Sequence, residues 1–213
     1  MIVYVETNFL LELAYLQERC ESCDEILDFC TDGRISLVVP SFSIAEARRV
    51  WDDRLSERNT FQNQLAALIR ELARSQPFKA LPETSKDLIA ALVSSGEAAR
   101  DRLEQAVAMV ARFGLIQPLV DQVLASAIIL EKKFSLSPSD AIVLASVMTH
   151  LATAAPGPKC FVSQDAKGFA NPGVHDELAT FECKVLVNFA DAAGYTRSIL
   201  RSSGEGTEPG LET

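Results

Sequence analysis

Four acidic residues stand where predicted strands end or predicted helices begin. Glu6 directly follows the apolar run Ile2–Val5, and Glu46 lies in the first turn of a helix expected after the second apolar run, ISLVVP. Asp140 opens the apolar segment DAIVLAS, and Asp165 lies two residues after the run CFVS. Four carboxylates in one pocket would repel one another strongly, so such a cluster persists only with cations. Hard oxygen ligands favour Mg²⁺ or Mn²⁺, and the pattern therefore predicts a divalent-metal site if the fold brings the four acids together.

Two of these acids also have a purely structural interpretation as helix caps. Ser43-x-x-Glu46 and Ser137-x-x-Asp140 both have the spacing of a capping box. An acidic residue in the first helical turn stabilises a helix by about 0.3–1 kcal/mol through the helix dipole. Capping alone is thus an open alternative for both residues.

The other two acids are harder to explain by local structure. Asp165 in SQDAKGF could be a turn residue, and Glu6 could occupy a solvated edge. Glu is, however, a poor capping residue and a poor turn former, and Glu6 abuts a run that reads as a buried strand. The metal-site hypothesis therefore depends on all four acids occurring together rather than on any one of them.

The elements that would position these acids alternate along the chain. Four short apolar runs rich in β-branched residues are predicted as strands, at Ile2–Val5, Ile35–Pro40, 159–163 and 183–189. The segments between them have the apolar spacing of amphipathic helices. Such alternation predicts an α/β fold, a three-layer α/β/α arrangement with a mostly parallel central sheet. Ligands of such sheets bind beyond the carboxyl ends of the strands, which is where Glu6 would lie.

Composition indicates one domain with an extended helical middle. In this chain of 213 residues, we expect one domain over 1–202, which includes a series of helices over about 59–134, and a disordered acidic tail over 203–213. The five cysteines do not form a disulfide pattern, and Cys20-x-x-Cys23 with Cys30 lacks a nearby fourth zinc ligand. A reducing, cytoplasmic location is therefore expected, with no signal peptide and no membrane span.

The net charge of −9 argues against nucleic-acid binding through a basic surface, but not against an enzyme that contacts phosphates through bound metal.

Four segments of the sequence resemble the four motifs of the PIN domain, a family of metal-dependent nucleases with a parallel sheet between helices. VYVETNFLLEL is similar to the first motif, with Glu6 in place of the usual Asp, and LVVPSFSIAEARRVW is similar to the second through Glu46. LSPSDAIVLAS and CFVSQDAKGF resemble the third and fourth through Asp140 and Asp165. The resemblance covers roughly 1–187 and is weak over about 59–134.

The resemblance implies that the four acids are catalytic and hold one or two Mg²⁺ or Mn²⁺ ions, and that the substrate is RNA. Asn8 and Ser163 are then candidate donors that orient a carboxylate or a metal-bound water. Arg49, one helical turn from Glu46, could meet a substrate phosphate, although a solvated surface charge is the simpler interpretation. Asp140→Asn is expected to leave the fold intact and to remove activity.

Three functions remain open on the sequence alone. The first is a metal-dependent endoribonuclease, which could be the toxin of a toxin–antitoxin pair whose antitoxin protein would block the acidic pocket. The second is a non-catalytic PIN-like scaffold that binds RNA or protein, which the Glu at position 6 favours. The third is a different phosphohydrolase acting on a nucleotide or on DNA. The amphipathic middle makes a homodimer plausible.

Overall fold

A single parallel sheet organises the protein, whose computed structural model describes residues 1–164 and 168–204. Its strands run β3-β2-β1-β4-β5 across the sheet, and every neighbouring pair is parallel. The three-layer α/β/α prediction is therefore confirmed. The strands are β1 Ile2–Val5, β2 Ser36–Pro40, β3 Leu115–Gln117, β4 Lys159–Val162 and β5 Cys183–Leu186.

Helices connect the strands and cover both faces of the sheet, as parallel pairing requires. Two of them, α3 and α5, are long, and α3 extends over about 48 Å at 1.5 Å per residue. The helices are α1 Thr7–Tyr15, α2 Cys20–Thr31, α3 Ser41–Leu72, α4 Leu81–Thr84, α5 Lys86–Phe113, α6 Asp121–Phe134, α7 Pro138–Leu151, α8 Pro172–Ala179 and α9 Phe189–Gly204, with a 3₁₀ turn at Gln76–Phe78.

Alternate side chains of the central strands enter two separate hydrophobic cores. Val3 and Val5 of β1 pack with α1, α2, α5 and α9, whereas Tyr4 points to the opposite core with α6, α7 and α8. The strands carry continuous apolar runs because both of their faces are covered. Burial on both faces fixes the register, so that the carboxyl ends of β1, β2 and β4 meet at one edge.

Four strands were predicted and a fifth, β3, was missed. Leu115–Gln117 is only three residues long and was assigned to a connection between helices. It pairs with β2 through Val38–Leu115 and Val39–Ile116, which makes it an edge strand. Because its residues are largely exposed, the segment lacks the buried apolar run that identified the other strands.

The helical middle contains fewer breaks than its sequence indicates. The segments SKDLIAALVS and EAARDRLEQAVAMVARF were predicted as separate helices, yet α5 continues through Gly96 between them. A Cβ at Gly96 would lie 2.9 Å from Leu55 Cδ1, so the missing side chain permits close approach of α3 and α5. Trp51 Nε1 donates to the Gly96 carbonyl oxygen at 3.2 Å and ties the two helices together.

At the carboxyl terminus, α9 extends through Gly204 and so includes the first residues of the expected tail. The remainder of that tail, 205–213, lies outside the described residues. Within the part of the chain that is described, none of the helices is both long and apolar enough to cross a bilayer.

Candidate active site

Glu6 connects β1 to α1 and lies almost completely buried, with 5% of its surface exposed. It is the N-cap of α1, since its Oε2 accepts a hydrogen bond of 2.8 Å from the Asn8 backbone N–H. The expectation that Glu would not cap a helix is therefore wrong here. The cap holds the carboxyl group at the carboxyl end of β1, where the parallel sheet presents its ligand edge.

Burial also changes the acidity of Glu6. Removal from water raises the pKa of this carboxyl to about 7, although the nearby polar groups of Asn8, Ser163 and Gln164, most of them beyond hydrogen-bonding geometry, lower it. Only Oε2 has a partner within hydrogen-bonding geometry among the residues described, and Oε1 is buried without one. An ionised carboxylate with one unpaired buried oxygen is costly, and a bound cation would relieve that cost.

Glu46 reaches the same region from the first turns of α3. Its Oε2 accepts a hydrogen bond of 2.5 Å from Thr7 Oγ1 of α1, so two helices fix its position. The capping-box interpretation of Ser43 and Glu46 is wrong, because α3 begins at Ser41 and Pro40 is its N-cap. Ser43 is buried inside the helix, and its Oγ has no hydrogen-bond partner among 1–164 and 168–204.

Asp140 lies in the first turn of α7, and here the capping interpretation is confirmed. Ser137 is the N-cap and accepts from the Asp140 N–H at 3.1 Å. In return, Ser137 Oγ donates to Asp140 Oδ2 at 2.6 Å, which orients the carboxylate. The capping hydrogen bonds therefore position the Asp140 carboxylate, and they leave a role in metal binding open.

One cavity of about 600 Å³ unites the three acids, which come from chain segments far apart in sequence. Glu6, Glu46 and Asp140 all line it, together with Thr7 and Asn8. The carboxyl end of β1 and the first turns of α3 and α7 form its walls. Within the described ranges, however, no group of three or more His, Cys, Asp or Glu is close enough to hold a metal ion. We call this cavity the acidic cleft.

The fourth predicted acid, Asp165, falls outside the described residues. The described residues on either side approach the acidic cleft, because Gly168 lines it and the side chain of Ser163 lowers the pKa of Glu6. Ser163 is completely buried. The role of Asp165 stays a prediction.

Arg49 does not line the acidic cleft, whereas another arginine of α3 does, and the predicted contact of Arg49 with a substrate phosphate stays a prediction. The Arg49 side chain is 63% exposed and forms a 2.7 Å ion pair with Asp53. Arg54, which sequence reasoning missed, lines the cleft. Its position two helical turns after Glu46 was a usable signal, because residues eight apart on a helix share a face. Thr7 was also missed, although it stands between Glu6 and Asn8.

A second cavity, of about 720 Å³, lies at the carboxyl-terminal end of α1. It is larger than the acidic cleft and is lined by Glu12, Gln164 and Asn188 among others, but by none of the predicted site residues. Glu12 Oε2 accepts from the Arg19 N–H at 2.9 Å and so holds the start of α2. We therefore assign the candidate chemistry to the acidic cleft on its residue types and not to the larger cavity.

The protein is thus a parallel three-layer α/β/α domain with carboxylates at the edge of the sheet where ligands bind. A family model for the PIN domain matches residues 3–169. The chain therefore belongs to the PIN domain family, whose members are in general metal-dependent nucleases that bind RNA. A search of curated proteins found no significant match to the chain.

Proposed function

We propose that the protein is a divalent-metal-dependent endoribonuclease that works in the acidic cleft. The observation that supports this most is the convergence of Glu6, Glu46 and Asp140 on one cavity at the carboxyl edge of the sheet. Three acids separated by up to 134 positions in sequence have no structural need to share one cavity. Membership of a nuclease family makes phosphodiester hydrolysis the chemistry to test first.

The residues present suit a hard divalent cation. Glu6, Glu46, Asp140 and the predicted Asp165 would hold Mg²⁺ or Mn²⁺, which prefer carboxylate oxygens. The buried, unpaired Oε1 of Glu6 is the group in the described residues that most needs a positive charge. When bound, such an ion lowers the pKa of a coordinated water and neutralises charge on the phosphate oxygens.

The protein's own part is to hold these carboxylates in place before substrate arrives. The Asn8 N–H fixes one oxygen of Glu6, Thr7 Oγ1 fixes one of Glu46, and Ser137 Oγ fixes one of Asp140. Donors that orient ligand carboxylates are worth about 10–100-fold in metal affinity or activity. Asn8 and Ser163, both next to Glu6, are proposed to orient its carboxyl group or a water beside it.

Cleavage of a labelled single-stranded RNA in Mn²⁺ tests this function. Asp140→Asn keeps an oxygen that can accept from Ser137 Oγ, so we expect a folded protein with activity lost. Asp53→Asn is the matched control, because Asp53 is an exposed acid of α3 that pairs with Arg49 outside the cleft. Full turnover by folded Asp140→Asn would contradict the proposal. Parallel assays on single-stranded DNA and on nucleotides separate a ribonuclease from the other phosphohydrolases.

One observation favours a non-catalytic scaffold as the second candidate. Within the residues that the structure describes, no three acids approach closely enough to form a metal site by themselves. Titration calorimetry with Mn²⁺ discriminates the two functions. A nuclease should bind the ion and lose that binding in Glu46→Gln, whereas a scaffold should give no heat of binding in either protein.

The toxin role, the antitoxin partner, the homodimer and the cytoplasmic location stay predictions. A toxin would need an antitoxin protein that covers the acidic cleft, and an Arg or Lys side chain is the chemistry that fits carboxylates there. A homodimer and a cytoplasmic location are likewise untested.

A further inference from the structure

Two arginines of α3, of which Arg54 lines the acidic cleft, share one aromatic ring. The guanidinium carbon of Arg54 lies 4.6 Å from the ring centroid of Tyr15, and that of Arg58 lies 5.5 Å from it. All three side chains are half-buried, and Tyr15 also packs against the core on the α1 side of the sheet. Cation–π contact with a fixed ring holds both charges in defined places.

These arginines continue the face of α3 that forms the cleft wall. Glu46, Val50 and Arg54 line the cavity at four-residue intervals, which is one face of a helix. Arg58 follows at the same interval. At 1.5 Å per residue, Arg54 lies about 12 Å and Arg58 about 18 Å along the helix axis from Glu46. The face therefore leads from the acids to two cations.

Within the described residues, the two arginines lack acidic partners. Neither Arg54 nor Arg58 forms an ion pair with any residue in 1–164 or 168–204, and the hydrogen bond of Arg58 Nη1 goes to the neutral Ser95 Oγ at 3.2 Å. Arg49 on the same helix, by contrast, is paired with Asp53. Two cations held on one ring repel each other, and the chain around them carries a net charge of −9. An anionic ligand would stabilise this arrangement.

The chemistry of that ligand follows from the guanidinium groups. Arginine binds phosphate through two parallel N–H donors, and it does so best when its plane is fixed in advance. One turn beyond Arg58, the ring of Phe61 is 56% exposed and offers a surface for a stacked base. Phosphate contacts followed by an aromatic ring are typical of surfaces that bind single-stranded nucleic acid.

We propose that Arg54 and Arg58, positioned by Tyr15, bind backbone phosphates of a single-stranded RNA as it passes out of the acidic cleft along α3. The inference rests on the proposed function for its substrate class. It goes further by assigning the path of the RNA along α3 and the two arginines that bind its phosphates.

The salt dependence of RNA binding tests this assignment. Arg54→Gln/Arg58→Gln is made in the full chain carrying Asp140→Asn, so that the RNA stays intact, and Kd for a fluorescent single-stranded RNA is measured by anisotropy at several salt concentrations. Each lost phosphate contact lowers the slope of log Kd against log salt by about 0.7, so the double variant should lose about 1.4. Gln retains most of the side-chain stem, which limits loss of packing. The matched control is Arg49→Gln, which should leave the slope unchanged.

Charge-retaining variants provide a second measurement. Arg54→Lys/Arg58→Lys keeps the charges and should keep most of the salt slope. A double Gln variant that is folded by circular dichroism and gives the same slope as Arg49→Gln would overturn the inference. So would a fall in slope that also appears in Arg49→Gln, because it would then reflect general charge.

Failure of the inference is distinguishable from failure of the proposed function. In the chain with Asp140 intact, the double Gln variant should raise KM for RNA and leave kcat unchanged, whereas Asp140→Asn should remove kcat. RNA cleavage with unchanged KM in the double variant would overturn the arginine assignment and leave the nuclease standing. A lowered salt slope in the double variant, together with no RNA cleavage by the protein that keeps Asp140, would support the arginine assignment and overturn the nuclease.

Discussion

Glu6→Gln separates the metal-site hypothesis from a purely structural role for this residue. The substitution preserves size and keeps an oxygen that can accept from the Asn8 N–H, so the N-cap of α1 is retained. It removes the ionisation of a carboxyl that is 5% exposed and whose pKa burial raises to about 7. The variant therefore tests the cost of the buried charge while it leaves the cap in place.

The magnitude follows from the difference between the pKa values of the folded and unfolded states. Glu6 rises from its ordinary pKa of 4.5 to about 7 on folding. At 1.36 kcal/mol for each pH unit, this difference corresponds to about 3 kcal/mol. Because the folded state binds the proton more tightly, the contribution to stability is fully present below about pH 4.5 and is lost as the pH rises through about 7. The metal-free wild type should therefore lose stability over this range relative to Glu6→Gln.

Urea unfolding of the two metal-free proteins at pH values from about 5 to about 9 measures the effect. The free energy of unfolding of the variant, relative to wild type, should rise by roughly 2–3 kcal/mol across that range. Parallel curves would refute the reasoning, because they would mean that Glu6 ionises in the folded state as it does in water. Adding Mn²⁺ above pH 7 should stabilise the wild type and should stabilise Glu6→Gln less, since the variant offers the cation no negative charge at this position.

Two further substitutions test the supports of the cleft and of the sheet. Thr7→Val preserves the shape of the side chain but removes the donor to Glu46 Oε2, so metal-dependent RNA cleavage should fall by about 10–100-fold. Thermal unfolding should show that the variant is folded. Unchanged kinetics would mean that the 2.5 Å hydrogen bond does not position Glu46. Gly114→Ala should lower the free energy of unfolding by about 1–3 kcal/mol, because a Cβ would lie 3.0 Å from the carbonyl oxygens of both Leu37 and Val110. Urea unfolding that shows no loss of stability would contradict this crowding.

The four strands that the sequence predicted are those that lie within an apolar run, and they were placed to within a few residues. β1, β2 and β4 lie inside the sheet and carry the continuous apolar runs that are typical of covered parallel strands, whereas β5 lies at an edge and is partly exposed. β3, at the other edge, is only three residues long and largely exposed, and it has no such run. The continuity of α5 was also missed, because Gly96 indicates a break by propensity but serves here for close packing against Leu55.

The candidate site was partly predictable for a similar reason. Acids at strand ends and helix starts are visible in sequence, and Glu6, Glu46 and Asp140 do share a cavity. Residues that act through three-dimensional neighbours are not visible in this way. Thr7 was missed because its partner lies 39 positions away. Arg54 shares a helical face with Glu46, which the sequence does show, but its contact to Tyr15 depends on the packing of α1 against α3 and is not visible there.

Capping and catalysis are alternative interpretations of the acids in the sequence, but a capped carboxylate can also line a cleft, as those of Glu6 and Asp140 do. A cap uses one oxygen of a carboxylate and fixes the side chain, as the Asn8 N–H does for Glu6 and Ser137 for Asp140. In Glu6 the second oxygen is buried and has no partner in the described part of the chain. A local hydrogen bond of this kind lowers the entropy that a metal or substrate must remove on binding. Capping spacing in front of an acid therefore counts in favour of a preorganised site whenever the capped carboxylate also lines a cleft.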